Sequence, residues 1–451
     1  MLRVTDSRNR NFTLSKDITG GGEARIWSVQ GKPQVVAKIY HNTPAKNREE
    51  KLKAMVANPP KQPKTHTAIA WPLDLLYSGK KFVGFLMPNI SGNEPLFYFY
   101  NPKKRNEIIP GFNWKYLHRT AFNFVVAAEA VHTKGHLIGD INESNLLVNA
   151  NTLVSIVDTD SFQIRDKQKI FRCPVGKPEF TPPELQGINF KDRNRMIEHD
   201  LFGIGIVIFR LLMEGYHPFA GIIPSGRSVG RVDLYCIQQG VFPYQQNSSV
   251  TPPPAAPLFN TLHPKLQKLF IRCFSEGHST PSKRPTTTEW KKVLNKAEKS
   301  LKICFKDRNH LYYNQLKKCP WCIKMSAQKP LPPPKQKSLP PSKFSQKPAS
   351  SKRGQKLLLL LFIIIVGIVY MPTDKSFFLS LKKRSAALWH ESIVNYSIYT
   401  VRPDDYLSKI AHKYGVSVDD IVSANKRRYP SLAKNPDSIL PGWRLKIPRQ
   451  Q

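Results

Sequence analysis

Residues 326–351 divide the chain, because their composition cannot form a buried core. The stretch consists mainly of Pro, Lys, Ser and Gln, with prolines in series at 332–334 and 340–341. Such a composition is typical of a semi-extended, disordered tether. With 451 residues, the chain also exceeds what one hydrophobic core normally supports. The sequence therefore predicts separate folding units on the two sides of this stretch.

The charge of the chain is strongly basic, with 69 Lys and Arg against 32 Asp and Glu and a net charge of +37. Such an excess can indicate nucleic acid or an anionic membrane surface as the partner. Residues 329–356 alone carry eight of the basic residues and no acid. Much of the positive charge therefore lies in a segment expected to be disordered or next to the membrane, and we expect no nucleic-acid partner. Six cysteines in a chain of this length do not indicate a disulfide scaffold. Residues 1–12 lack the apolar core of a signal peptide, so the N-terminal domain is expected to be cytosolic.

An uncharged apolar run of fifteen residues follows the tether at 357–371. As a helix it would span roughly 22 Å, somewhat less than the ~30 Å of a hydrocarbon core. A buried core helix is the alternative, but the neighbouring segments offer no partner that could bury it. The sequence therefore predicts a membrane-spanning helix. Six Lys or Arg precede the span and four follow it within twenty residues, which weakly favours the N-terminal side as cytoplasmic.

A short hairpin is predicted where Asp140, Asn145 and Asp158 follow one another with apolar runs between them. Residues 146–148 and 153–157 have the composition of short strands, joined by a turn. Pairing of these strands would bring two carboxylates and an amide to one end of the hairpin. That arrangement suits Mg²⁺ carrying a polyphosphate, since Mg²⁺ is usually held by one or two carboxylates and phosphate oxygens. A surface hairpin with acidic turns is the alternative.

Several motifs then occur in order: DITGGGEARIW, QVVAKIY with Lys38, the hairpin, VGKPEFTPPEL, EHDLFGIGIVIFRLL and PSKRPTTTEW. A glycine-rich turn lets backbone N–H groups approach phosphates, and a strand-borne Lys can meet their oxygens. From about Phe12 to Ala297 the sequence resembles the eukaryotic-type serine/threonine protein kinases of bacteria. The resemblance implies an α+β two-lobed protein-kinase fold that uses ATP and Mg²⁺ to phosphorylate protein substrates.

The resemblance also assigns roles to individual residues. Asp140 matches the aspartate that accepts the substrate proton, and Asn145 and Asp158 match the Mg²⁺ ligands. The expected ATP site consists of Gly20, Gly21, Gly22, Lys38, Glu50, Met87, Asn145 and Asp158. Glu50 is preferred to Glu49 as the partner of Lys38, although the sequence leaves the two open. Structural roles fall to Glu184, which would pair with Arg284, and to Asp200, which would cap the catalytic loop.

Departures from the family pattern leave a pseudokinase as the alternative. Gly139 stands where an arginine that reads a phosphate on the activation loop is usual, and Asn142 stands where a lysine is usual. Lys177 is a candidate for the positive charge that Asn142 lacks. The usual Asp-Phe-Gly motif reads Asp-Thr-Asp, beginning at Asp158. In this alternative the chain would be a wall-anchored scaffold that binds nucleotide or a partner without transferring phosphate.

Cys304, His310, Cys319 and Cys322 have the spacing C-x₅-H-x₈-C-x₂-C. Tetrahedral Zn²⁺ takes four such ligands, and C-x₂-C supplies two thiolates from one turn. Redox activity is the alternative, but the βαβ context of thioredoxin-like proteins is absent. The spacing therefore predicts a structural zinc module.

The C-terminal segment from Tyr399 to Pro448 is predicted to be strand, helix, helix, strand, and it resembles the LysM module. That resemblance implies binding of N-acetylglucosamine glycans such as peptidoglycan in a shallow groove. The matching groove positions are Asp405, Tyr406, Leu407, Ile439, Leu440 and Pro441. A core contact for Leu407 and a helix cap for Asp405 are the alternatives.

The predicted architecture is multidomain. It comprises a kinase-like domain (1–302), a zinc-binding module (303–325), a linker (326–355), a transmembrane helix (356–371), a juxtamembrane linker (372–396) and a βααβ LysM domain (397–448). Since ATP is inside the cell and peptidoglycan outside, we expect a single-pass protein of the bacterial inner membrane with the kinase cytoplasmic and the LysM domain extracytoplasmic.

Overall fold

A computed structural model describes residues 1–20, 22–224, 229–327, 396–401, 405, 407–414, 416–425, 428–429, 432, 439 and 443–448. The chain divides into two compact units, Met1–Pro334 and Lys335–Gln451. The boundary between them falls within the proline-rich stretch.

Six antiparallel strands form the first part of the N-terminal unit. They are β1 (Leu2–Asp6), β2 (Asn11–Gly20), β3 (Ala24–Val29), β4 (Val35–Tyr40), β5 (Asp74–Ser78) and β6 (Lys81–Pro88), with helix α1 (Lys46–Ala57) between β4 and β5. The strands close into a barrel in the order β1-β2-β3-β4-β6-β5. Its apolar interior includes Val4, Phe12, Leu14, Val29, Ala37, Leu76 and Leu86. Alternation of apolar and polar residues along the strands directs these side chains inward.

The predicted fold class is wrong for this part of the chain, because a closed six-stranded barrel stands where a kinase N-terminal lobe is expected. Strand β1 is the physical reason. It pairs with β2 and also with β5, so both of these strands are hydrogen-bonded on each side. Closure removes the unpaired edges that an open sheet would present. The segment that forms β1 precedes Phe12, where the family resemblance begins, so the resemblance did not include it.

Helices dominate the rest of this unit. They are α2 (Phe97–Tyr100), α3 (Pro102–Ile108), α4 (Trp114–Thr133), α5 (Ile197–Leu212), α6 (Val232–Gln239), α7 (Pro264–Ile271), α8 (Gly277–Ser279), α9 (Thr287–Lys299) and α10 (Pro320–Ala327). Helix α4 packs against α5 and α9. Thirteen of the sixteen residues of α5 are buried, so α5 is the central helix of the core.

Short strands connect these helices and carry the loops of the candidate site. They are β7 (Glu94–Pro95), β8 (Leu146–Val148), β9 (Val154–Ile156), β10 (Ile164–Asp166), β11 (Lys169–Phe171), β12 (Leu301–Ile303) and β13 (Leu311–Tyr313). Strands β7, β8 and β9 form one sheet, and β10–β11 and β12–β13 are two-stranded. The predicted β8–β9 hairpin is confirmed, with Leu146 paired to Ile156.

The second unit contains β14 (Tyr396–Thr400), α11 (Leu407–Tyr414), α12 (Val418–Asn425) and β15 (Arg444–Pro448). Strands β14 and β15 are antiparallel neighbours, which confirms the predicted order of strand, helix, helix, strand. The buried Asn425 side chain donates to Lys446 O at 2.7 Å, and Lys446 N donates to Asn425 Oδ1 at 2.8 Å. This pair of bonds attaches α12 to β15.

The predicted membrane-spanning helix, residues 356–371, lies outside the described residues. Within the described part of the chain, no helix is both long and apolar enough to cross a membrane. The 20-residue α4 contains Lys115, Arg119 and Glu129, and the more apolar α5 has only 16 residues. No helix of this part of the chain supports the expected transmembrane helix or the predicted single-pass placement in the inner membrane, and neither is retained.

Candidate functional site

The β8–β9 hairpin positions the two predicted Mg²⁺ ligands. Asn145 directly precedes β8 and Asp158 follows β9 by one residue. The Val157 N–H donates to Asn145 O at 2.9 Å, so the two segments are joined at this end of the hairpin. Asp158 has φ 57°, a left-handed conformation that non-glycine residues seldom adopt. Its side chain is 42% exposed and is therefore accessible to a ligand.

Asp140 lies beside this hairpin end. The Asn145 Nδ2 donates to Asp140 Oδ2 at 3.2 Å. The other oxygen, Oδ1, is buried and has no hydrogen-bond partner among the described residues. Burial raises the pKa of the Asp140 carboxyl, and the Asp158 charge adds to this, while Asn142 and Lys177 act against it. A buried carboxylate oxygen without a partner is suited to accept a proton from a substrate.

Asp200 holds the loop that carries Asp140. Its carboxylate accepts from Ile138 N at 2.8 Å and from Gly139 N at 2.9 Å, and it contacts His132 Nε2 at 2.8 Å. Asp200 lies in the first turn of the buried helix α5. The loop is therefore anchored to the most deeply buried element of the fold.

Lys38 on β4 is bound by two aspartates. Its Nζ donates to Asp158 Oδ1 at 2.7 Å and to Asp160 Oδ1 at 2.6 Å. Burial alone would lower the pKa of Lys38, but Asp160 and Asp158 outweigh it and the net shift is upward. Lys38 is therefore charged and oriented by acids from the segment after β9.

The expected pair between Lys38 and Glu50 is not formed. Glu50 accepts from Lys169 at 2.6 Å on the surface, and the alternative Glu49 contacts Lys53 and Tyr77. The face of α1 directed toward the site carries Arg48 and Lys51 instead of acids. The rotation of α1 about its axis is the reason for this difference.

Asp160 is the residue of this site that the sequence analysis missed. Its Oδ2 accepts from Tyr40 Oη at 2.8 Å and from Arg48 at 3.1 Å. Its backbone oxygen accepts from Lys51 Nζ at 2.7 Å. Two signals could have identified this cluster: an acid at a position where the family has glycine, and two cations three residues apart on α1.

The glycine-rich turn connects β2 and β3. Gly20 pairs with Arg25 across these strands, and Gly21 lies outside the described residues. A Cβ at Gly22 would meet nothing within 4 Å, so packing within the protein does not require glycine there. Met87, which the resemblance places in the ATP site, pairs with Val36 near the end of β6.

Gly139 is explained by its neighbours. It has φ +74°, and a Cβ there would lie 2.7 Å from Cys173 Sγ. The buried Arg195 donates to Gly139 O at 2.7 Å and to Val175 O at 2.5 Å. Arg195 therefore joins the loop of Asp140 to the segment before Lys177 without the arginine that the family places at position 139. Lys177 Nζ in turn lies 3.1 Å from Ser144 Oγ.

Glu184 and Arg284, which the resemblance pairs, form a bidentate ion pair. Arg284 Nη1 and Nη2 donate to Glu184 Oε1 and Oε2 at 2.6 and 2.8 Å. Arg284 is 1% exposed and also donates to Gly277 O and Glu198 O. All of its contacts are structural, because none of these partners belongs to the Asp140 and Lys38 cluster.

The ligand atoms of Cys304, His310, Cys319 and Cys322 all lie within 4.8 Å of one another. The Cys304 and Cys322 sulfurs are 3.7 Å apart, and His310 Nδ1 is 3.4 Å from Cys322 Sγ. Ligands about 2.3 Å from a tetrahedral zinc place two sulfurs roughly 3.7 Å apart, so the donor set fits. His310 Nε2 faces the Asp307 carboxylate at 3.5 Å, the kind of outer contact that orients a ligating imidazole.

The cysteine cluster is packed onto the helical part of the unit. The Trp321 ring lies 5.2 Å from the Trp114 ring, and its Nε1 donates to Leu311 O at 2.7 Å. Lys324 forms an ion pair with Glu214. The cluster is therefore part of the N-terminal unit and does not form a separate body.

The predicted glycan residues are only partly described. Leu407 is fully buried in the core of the second unit, so it takes the alternative role of a core contact. Ile439 is also buried, and Asp405 accepts from Tyr399 Oη at 2.6 Å. Tyr406, Leu440 and Pro441 lie outside the described residues.

Comparisons with known proteins agree with both resemblances. A LysM domain model matches residues 399–448. The chain is 32% identical to protein kinase YegI of Escherichia coli K12 over 326 residues. The aligned region covers 71% of this chain and 50% of that protein. The YegI of Escherichia coli O157:H7 is 32% identical over 315 residues, covering 69% and 48%. The serine/threonine/tyrosine-protein kinase HT1 of Arabidopsis thaliana is 26% identical over 200 residues, covering 44% and 45%.

The chain spans about half the length of the curated relatives it matches. It therefore combines a LysM domain with similarity to protein kinases.

Substitution of Gly139 by alanine should destabilise the N-terminal unit more than the same change at Gly187. Both glycines have positive φ, but only at Gly139 would the added Cβ collide with a neighbour. We expect a loss of about 2–4 kcal/mol for Gly139→Ala, from backbone strain and overpacking, and about 1 kcal/mol for Gly187→Ala. Urea unfolding followed by tryptophan fluorescence measures both. Equal losses would show that contact with Cys173 is unimportant.

Proposed function

We propose that the chain is an ATP-dependent protein kinase that transfers the γ-phosphoryl group to Ser or Thr of protein substrates. The observation that carries this proposal is the convergence of Lys38, Asp140, Asn145 and Asp158. They come from distant segments and are joined by the hydrogen bonds Lys38–Asp158 and Asn145–Asp140. Similarity to protein kinases supports the same activity.

The roles follow from the contacts of each side chain. Asp140 would accept the proton of the substrate hydroxyl through Oδ1, which has no hydrogen-bond partner within the described residues. Lys38 would hold phosphate oxygens of ATP, and the open space at Gly22 allows the turn to approach them. Lys177, whose charge lowers the pKa of Asp140, would stabilise negative charge beside the transferred group.

The exposed Asp158 carboxylate and the Asn145 amide fit an oxygen-ligated cation. Mg²⁺ bound to them would neutralise phosphate charge during transfer.

One observation favours the pseudokinase alternative. Lys38 donates to Asp158 Oδ1, so one oxygen of the proposed metal ligand is already occupied. A scaffold that binds nucleotide without transferring phosphate would retain this bond. Labelling separates the two functions.

Lys38→Met and Asp158→Ala should each reduce phosphate transfer from Mg-ATP to background, and Asp140→Asn should do the same. The first loses the phosphate contact, the second the metal ligand, and the third the proton acceptor. The measurement is incorporation of labelled phosphate into acceptor proteins and into the chain itself, followed by phosphoamino-acid analysis. Asp166→Asn, at an exposed position on β10, is the control and should label normally. Wild type that binds Mg-ATP yet labels nothing would instead support the scaffold.

We also infer that Cys304, His310, Cys319 and Cys322 hold one structural Zn²⁺. The distances between their ligand atoms and the Asp307 contact support this inference. Four saturated positions leave no open site for catalysis.

Elemental analysis of protein purified without chelator should give about one zinc per chain, and Cys322→Ser should lose it. The buried Cys236, remote from the cluster in sequence, supplies the matched control Cys236→Ser. Since Trp321 packs against Trp114, removal of the metal should also lower the melting temperature of the N-terminal unit by several degrees. Zinc-free wild type with an unchanged melting temperature would refute the site.

The LysM domain is proposed to bind N-acetylglucosamine glycans such as peptidoglycan. The groove would be formed by Asp405, Tyr406, Leu440 and Pro441. Leu407 and Ile439 are excluded because their side chains are buried.

Asp405→Ala combined with Tyr406→Ala should weaken sedimentation of the chain with insoluble peptidoglycan at least tenfold, because both positions match the glycan groove that the LysM resemblance implies. Ser423→Ala, at an exposed position on α12, is the control and should sediment like wild type. Circular dichroism must show that the double variant is folded, since Asp405 accepts a bond from Tyr399. Undiminished binding by a folded double variant would place the glycan elsewhere.

A further inference from the structure

Asp160 has an unusually complete set of cationic and hydroxyl partners for one buried carboxylate. It is 2% exposed, and its two oxygens accept from Lys38, Tyr40 and Arg48 at 2.6, 2.8 and 3.1 Å. The backbone oxygen of the same residue accepts from Lys51. These four partners come from β4 and α1, so Asp160 joins the barrel to its helix.

The charge balance of the site depends on this carboxylate. Lys38, Arg48 and Lys51 converge on one buried region, where mutual repulsion of like charges is weakly screened. Without Asp160, the acid left in contact with Lys38 would be Asp158. Asp158 is also the proposed metal ligand, and its ion pair with Lys38 at 2.7 Å competes with that role. Asp160 gives Lys38 a second acid at 2.6 Å, so Lys38 would keep a charge partner when Asp158 binds the metal.

A second contact extends the cluster to the glycine-rich turn. Arg48, while bound to Asp160, also contacts Glu23 Oε1 at 2.5 Å. Glu23 follows Gly22, at the end of the turn proposed to approach the phosphates of ATP. The order of contacts is thus Lys38, Asp160, Arg48, Glu23.

We propose that Asp160 is a positioning residue for Lys38 and takes over the task that an acid on α1 performs in the kinases that the chain resembles. Arg48 extends the same network from Asp160 to the glycine-rich turn. The proposal rests on the proposed kinase function, because Lys38 is positioned for phosphate oxygens. It also explains why α1 presents cations at this site: the acid is supplied by the segment after β9.

The test compares full-length wild type with Asp160→Asn, with Asp160→Asn/Arg48→Glu, and with Asp166→Asn as an exposed control from the same segment. Asp160→Asn should reduce kcat about 10²-fold, the order of loss produced by misplacing a reacting group. The KM for ATP should stay within about threefold. The double variant returns a carboxylate to the cluster from α1 and should regain about tenfold in kcat.

A purely structural role would reduce kcat only in proportion to the folded fraction, which thermal melting measures. If Asp160→Asn does not fold, Arg48→Gln supplies the second variant, because Arg48 is partly exposed. It should lower kcat about fivefold through loss of the link to Glu23.

Wild-type kcat in folded Asp160→Asn, or in Arg48→Gln where only that variant folds, would overturn the proposal. A loss that follows only the folded fraction, without rescue by Arg48→Glu, would also overturn it. Wild type that neither transfers phosphate nor binds Mg-ATP by calorimetry would refute the kinase function itself, and this inference with it.

Discussion

The hydrogen bonds to the Asp200 carboxylate are the constraint on which the candidate site depends. A buried carboxylate is tolerated because its oxygens are paired with Ile138 N, Gly139 N and His132. These bonds fix the loop of Asp140 to helix α5, whose burial is almost complete. The core therefore determines the position of the Asp140 loop without a hydrogen bond to Asp140 Oδ1, which has no partner in the part of the chain that the structure describes.

Several charged side chains of the site lie at positions other than those of the family pattern. Arg195 bonds to the carbonyl of Gly139, where the family has an arginine side chain. Lys177 contacts Ser144, and its charge acts to lower the pKa of Asp140. The third departure is on α1, where the family has an acid that pairs with the lysine. Here Lys38 donates to Asp160, and Arg48 of α1 donates to the same carboxylate. At each departure a neighbouring side chain carries a charge of the sign that the family pattern places there. Isolated motif positions are therefore a poor guide to whether this site is active.

The cysteine cluster has a different relation to the fold. Its own apolar core is small, comprising Cys304, Tyr312 and Cys319 with a few partly buried neighbours. So small a core cannot by itself compensate for the entropy of ordering the chain, and metal ligation is a common solution. Contact between Trp321 and Trp114 couples the cluster to helix α4. The metal site would thus stabilise the end of the helical region as well as its own loops.

Features that depend on neighbours in the chain were determined by the sequence itself. The β8–β9 hairpin follows from two apolar runs and a turn, and the fit of the Cys/His donor set follows from ligand spacing. The order of strands and helices in the LysM domain likewise follows from local periodicity. These patterns are short in sequence, so few alternative pairings compete with them.

Only the tertiary structure decided which partners distant segments take. Pairing of β1 with β5 closes the barrel across some seventy residues of chain. The rotation of α1 directs Arg48 toward Asp160 and leaves Glu50 on the surface with Lys169. Leu407 similarly became a core residue through packing in the second unit. A sequence pattern gives the period of a strand or helix, but which face meets which partner is set by burial of the whole core.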